Sequence, residues 1–136
     1  MIEECVLDAS IVLKWMNAPG EQDVVEAERI LTRFLAGELR VVVPPLLFVE
    51  VLNVAARRWR LSLPRLERLA ARLDAFAFEV DQPALTGIAR WCARGLTAYD
   101  ACYVALAEAR GITLITADEG IVASAPRHAR RLGGDE

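Results

Sequence analysis

The sequence predicts an α/β fold, a central parallel sheet with helices on both faces, within one domain spanning residues 1–136. Three observations lead there. Short apolar runs alternate with longer stretches of helical periodicity, the pattern of strands joined by crossover helices. The runs VVV at 41–43 and ITLI at 112–115 are apolar without interruption, as strands covered on both faces are. The chain has 136 residues, 54% of them hydrophobic, enough for a single well-buried core.

Each element has a local reason. CVLD, ending at Asp8, is a short buried strand, and SIVLKWM from Ser10 begins a helix. NAPGEQ is a break carrying Pro19 and Gly20. From Asp23 to about Ala36 a second helix places Val24, Ala27, Ile30, Leu31, Phe34 and Leu35 on one face, and Gly37 closes it. LRVVV is a strand stopped by Pro44 and Pro45, which launch the helix LLFVEVLNVAARRW. Ser62 caps, and Pro64 opens, the helix that follows. FEVDQ is a short strand, and PALTGIARWCARG a helix ending at Gly95. TAYDACYVALAEARG is the next helix, closed by Gly111. ITLIT is a strand, ADEGIVASA a short helix, and RHARRLGG holds a final strand.

Bulk properties narrow the function. No apolar run approaches the roughly 18–20 residues that span a bilayer. The first residues, MIEECVLD, carry acids where a secretory signal carries Lys or Arg, so a cytoplasmic protein is expected. Cys5, Cys92 and Cys102 are odd in number and widely spaced, which fits neither a disulfide framework nor a zinc site. Net charge is −3, without the global basic signature of many nucleic-acid binders. Positive charge is nearly all arginine, clustered at Arg57, Arg58 and Arg60, at Arg65, Arg68 and Arg72, and at Arg127, Arg130 and Arg131. Solvated helix faces account for such clusters, and guanidinium pairs also hold phosphates.

In parallel sheets, ligands bind beyond the carboxyl ends of the strands. Asp8 ends the first strand, Glu50 lies about a turn into the helix after RVVV, and Asp118 lies just past ITLIT. These three acids fall at one edge. Asp100 begins the helix before ITLIT, and its end of that helix is expected at the opposite edge unless the connection is irregular. Asp8 and Asp118 also suit helix capping, as does Asp100 in a capping box with Thr97. Glu50 is too far into its helix to cap it and is the only charge between Val41 and Ala56. Asp100 has Tyr103, Val104 and Ala107 as helical neighbours, an apolar face where a carboxylate needs a proton, a hydrogen bond or a cation. Lys14 is the only lysine and no arginine is spaced to pair with Asp100 before Arg110. Carboxylates gathered without basic partners call for a hard divalent cation, Mg²⁺ or Mn²⁺, able to bind phosphate oxygens.

The ordered stretches VLDAS, PPLLFVEVLN, LTAYDACYVALAE and LITAD resemble the PIN-domain ribonucleases, and most of all the VapC-type toxins of bacterial and archaeal toxin–antitoxin pairs, over about residues 3–123. The resemblance implies a three-layer α/β/α sandwich and an acidic pocket that binds Mg²⁺ or Mn²⁺ and cuts single-stranded or loop RNA with a metal-activated water. It assigns the pocket to Asp8, Glu50, Asp100 and Asp118, and so brings Asp100 to the acidic edge. Ser10, Thr116 and Asn53 match supporting polar positions, and Arg57 and Arg58 are possible RNA contacts. It also implies a homodimer silenced by an antitoxin, in whose groove Trp15, Met16, Phe34 and Trp59 either lie or serve instead as core. A phosphoacceptor receiver domain or a haloacid-dehalogenase-type phosphatase needs a lysine this sequence lacks at the required place. The remaining alternative is a non-catalytic PIN-like binding module whose acids are helix caps.

Overall fold

The computed structural model describes residues 2–16, 20 and 22–134. Most of the expected break at 17–22, including Pro19, lies outside the described residues. In chain order the elements are β1 (Glu3–Leu7), α1 (Ala9–Trp15), α2 (Val24–Leu35), β2 (Leu39–Val43), α3 (Leu46–Arg57) and α4 (Leu63–Ala75). They continue with β3 (Glu79–Val80), α5 (Leu85–Cys92), α6 (Ala98–Arg110), β4 (Thr113–Thr116), α7 (Glu119–Ser124) and β5 (Ala129–Arg131). The five strands form one parallel sheet in the order β3-β2-β1-β4-β5.

That order places the site. The chain steps from β1 outward through β2 to β3, then crosses back to build β4 and β5 on the other side of β1. Right-handed crossovers therefore put the helices before and after the reversal on opposite faces. Packing agrees: α1 lies against α2 and α3, and α3 against α4, whereas α5 packs on α6, which covers β1 and β4. Strand order reverses between β1 and β4, so a crevice opens beyond their carboxyl ends. Asp8 follows β1 there and Asp118 follows β4.

The core is the sandwich filling. Val6, Leu7, Val41, Val42, Val43 and Leu114 are all fully buried. In α6 every residue from Ala101 to Ala107 is buried, so the helix is enclosed all round rather than amphipathic. Gly111 ends it at φ +66°, a left-handed turn that suits glycine, and β4 starts two residues later. A helix that feeds a parallel strand through so short a turn runs against the strand. Its first turn therefore lies at the carboxyl edge, and the expected placement of Asp100 at the opposite edge is corrected.

Other expectations shift modestly. β3 is two residues long: Phe78 turns into the core, and the Asp81 N–H reaches the Val43 carbonyl at 3.0 Å. Leu35, expected on the inner face of α2, is 68% exposed. Trp15 and Phe34, considered for a partner groove, are core: Trp15 is 2% exposed and its Nε1 donates to the Ala27 carbonyl at 2.8 Å. Phe34 stacks on Phe78 with centroids 5.2 Å apart, and Phe76 fills the same cluster. Met16 and Trp59 are half-buried against this core. Cys5 and Cys102 are buried free thiols and Cys92 is half-buried. Among the described residues no helix is long and apolar enough to cross a membrane.

Candidate active site

Asp8 is the residue at which β1 turns into α1, and it is 5% exposed. Its Oδ1 accepts from the Ser10 N–H at 3.1 Å and the Ser10 hydroxyl at 2.5 Å, and its Oδ2 accepts from the Thr116 hydroxyl at 2.5 Å. Burial pushes this carboxyl up to about 6, although the Ser10 and Thr116 bonds favour the ionised form; the nearby Asp100 charge raises it further.

Two hydroxyls stitch the β1 and β4 ends together. Thr116, fully buried, donates to Asp8 and accepts from the Asp118 N–H at 3.0 Å. Ser10 donates to Asp8 and accepts from the Ala117 N–H at 3.1 Å. Asp118 in turn caps α7, its Oδ1 accepting from the Gly120 and Ile121 N–H groups at 2.8 and 3.1 Å. The helix-capping reading of Asp8 and Asp118 is thus correct as local chemistry. Capping occupies only part of each carboxylate, which has about four acceptor positions.

Glu50 and Asp100 come from the two flanking helices. Glu50, half-buried on α3, accepts a hydrogen bond from the Tyr103 hydroxyl of α6. Burial raises its pKa, the Tyr103 bond opposes this, and Asp100 adds to the rise. Thr97 caps α6 by accepting from the Asp100 N–H at 3.1 Å. The Asp100 carboxyl is raised by burial and then by the Asp118 charge, with Thr97 opposing. Asp100 therefore senses Asp118 and is sensed by Asp8 and Glu50, which joins the four acids into one electrostatic group. None of the four forms an ion pair with another described residue.

Tyr103 is the residue that sequence patterning missed. It reads as an apolar inward residue, yet a buried tyrosine hydroxyl needs a partner, and Glu50 is that partner. Asn53 is exposed one turn beyond Glu50, and Arg57 and Arg58 are exposed about 10 Å along α3 from it at ~1.5 Å per residue. Glu119 turns instead toward Arg131, at 3.4 Å.

The donor set suits a hard divalent cation in kind: oxygen donors only, uncompensated by guanidinium or ammonium groups. As the side chains stand, no three carboxylate, histidine or cysteine groups among the described residues converge on one ion-sized point. Ser10 and Thr116 bond to Asp8, the α7 amides to Asp118 and Tyr103 to Glu50.

Comparison with known proteins adds to this geometry. The PIN domain pattern matches residues 5–125. Ribonuclease VapC1 of Mycobacterium tuberculosis is 35% identical over 129 residues, covering 90% of this chain and 92% of the relative. The crystal structure of PAE2754 from Pyrobaculum aerophilum superposes with a TM-score of 0.67 at 26% identity, over 98% of this chain and 93% of that one. A toxin–antitoxin complex from Klebsiella pneumoniae shares the fold with a TM-score of 0.63 at 21% identity, over 93% and 95% of the two chains.

Proposed function

The chain belongs to the PIN-domain family, and from that premise we propose that it is an Mg²⁺- or Mn²⁺-dependent endoribonuclease, the toxin of a cytoplasmic toxin–antitoxin pair. The observation that supports this reading is that the Asp100 charge acts on Asp8 and Glu50 and feels that of Asp118, beside the strand-order reversal, with none of the four in an ion pair among the described residues. The 35% identity to a ribonuclease across 90% of the chain supports the substrate class. A likeness to a toxin–antitoxin complex supports an antitoxin partner, and a homodimer is part of the same proposal.

Asp8, Asp100 and Asp118, with Glu50, are the residues that would hold the cation. A bound divalent cation supplies Lewis-acid activation of water and neutralises charge on the phosphodiester. The chain's own groups do the rest. Ser10 and Thr116 fix Asp8, and Thr116 also fixes the Asp118 backbone. Tyr103 aims Glu50, whose raised pKa suits it to take a proton from the attacking water. The water oxygen would bond to phosphorus as the P–O3′ bond breaks, and the 3′ oxygen would take a proton from solvent, giving 5′-phosphate and 3′-hydroxyl ends.

Incubation of the purified chain with a structured RNA tests this, alongside Asp8→Asn and Asp100→Asn. Cleavage is expected with Mg²⁺, lost in EDTA and lost in both variants. A parent that leaves RNA intact, or variants that cut as fast as the parent, would favour the capping-only module.

A further inference from the structure

The flank of the sheet beyond β4 carries a basic surface that none of the roles above uses. Two hollows meet there, sharing Pro126 and Arg127. One, of about 210 Å³, is bounded by Trp91, Arg94, Glu108, Arg127 and His128. Its floor is organised: Trp91, 4% exposed, donates from Nε1 to Glu108 at 3.1 Å. The Arg94 guanidinium lies 4.8 Å over the indole, and the His128 ring meets the indole edge-on at 5.6 Å. The other hollow, of about 490 Å³, is lined by Arg127, Arg130 and Arg131 beside β5.

Strand register connects this surface to the acids. Arg131 pairs with Thr116, the residue whose hydroxyl holds Asp8. Ala129 pairs with Leu114, so β5 rises about 7 Å toward the acidic edge over two residues at ~3.3 Å each. Arg131 stands at that edge, shared loosely between Glu119 at 3.4 Å and Asp23 at 3.7 Å. Arg94 and Arg127 are exposed. Guanidinium groups spaced along a groove match a sugar–phosphate backbone; the buried Trp91 serves to position Arg94, and His128 also faces Glu108 at 3.5 Å.

We propose that the hollows joined at Arg127 form a binding track for the backbone of single-stranded RNA, leading from Arg94 and His128 past Arg127 to Arg131 and the acidic edge. The proposal rests on the ribonuclease reading above. The track supplies the attraction that an acidic site lacks, which resolves how a chain of net charge −3 holds a polyanion.

Fluorescence anisotropy of a labelled single-stranded RNA against salt tests it, on the parent and on the Arg94→Gln/Arg127→Gln double variant, each in Mg²⁺ with the Asp100→Asn change to prevent cutting. Two lost phosphate contacts lower the slope of log K against log salt by about 1.4, at ~0.7 per contact for single strands. Affinity at low salt is expected to fall at least tenfold. The Arg94→Lys/Arg127→Lys pair keeps the charges and keeps the slope. Arg65→Gln/Arg68→Gln on α4 removes the same net charge elsewhere and leaves the slope intact. An unchanged slope in Arg94→Gln/Arg127→Gln, or an equal drop in the α4 variant, overturns the track. So does loss of binding to a poly-glutamate peptide with RNA binding retained, which assigns the surface to an acidic protein segment. These outcomes leave the ribonuclease reading standing wherever the parent with Asp100 intact still cuts RNA; a parent that neither binds nor cuts removes both.

Discussion

Replacing Asp8 by asparagine is expected to make the metal-free protein more stable at pH 8 while destroying its activity. Burial holds the Asp8 carboxyl at about 6, against an ordinary 3.8. Below pH 3.8 the group is protonated in both the folded and the unfolded chain, and costs nothing. As pH rises from 3.8 to 6 the unfolded chain releases its proton first, so the folded state loses stability. Above pH 6 the loss is complete, about 3 kcal/mol. An amide carries no such penalty. It does donate where Oδ2 accepts, so the Thr116 hydroxyl must turn away, at a cost of about 1 kcal/mol. The net gain is about 2 kcal/mol at pH 8, worth about 5–10 °C in melting temperature for a chain of this size. At pH 4 only about 0.5 kcal/mol of the burial penalty remains, less than the Thr116 cost, so the variant falls slightly behind the parent there. Thermal unfolding followed by circular dichroism in EDTA, at pH 4 and pH 8, measures both differences. A variant less stable than the parent at pH 8, or ahead by the same margin at both pH values, would mean that the buried Asp8 charge does not destabilise the fold.

Other perturbations separate positioning from packing. Tyr103→Phe removes only the hydroxyl that holds Glu50, so cleavage is expected to fall about tenfold while stability drops by about 1 kcal/mol, measured by RNA turnover and urea unfolding. Thr116→Val leaves the Asp118 N–H without its acceptor and Asp8 without one donor; a loss of about 2–3 kcal/mol in unfolding free energy is expected, together with loss of cleavage. Trp15→Ala opens the aromatic cluster and deprives the Ala27 carbonyl of its donor, with an expected cost of about 3–5 kcal/mol, read from denaturant melts.

The sheet and most helices were legible in the sequence because their signals are local. Uninterrupted runs such as Val41–Val43 mark doubly covered strands, and Gly111 at φ +66° ends α6 where glycine was expected to. The three acids at strand ends were legible for the same reason, since each sits a residue or a turn beyond an apolar run. Asp100 was harder. Its location depends on the direction in which α6 meets β4, and no periodicity within α6 reports that direction. The resemblance supplied the answer, and the two-residue Gly111–Ile112 turn supplies its cause. Tyr103 was invisible as a polar group because its partner lies 53 residues away in sequence. The aromatic cluster of Trp15, Phe34, Phe76 and Phe78 likewise joins α1, α2 and the connection between α4 and β3, so the choice between groove and core needs three-dimensional packing.

The question whether these acids serve only as caps or form a cation site turns on Asp100, whose helix is capped by Thr97 and not by its own carboxylate. Titration of Mn²⁺ into the parent and into Asp100→Asn at neutral pH, by isothermal calorimetry, therefore separates the two. Mn²⁺ is expected to bind the parent, and to bind the variant at least tenfold more weakly, with the variant's metal-free melting temperature no lower. No heat of binding in the parent, or equal affinity in the two proteins, would contradict it.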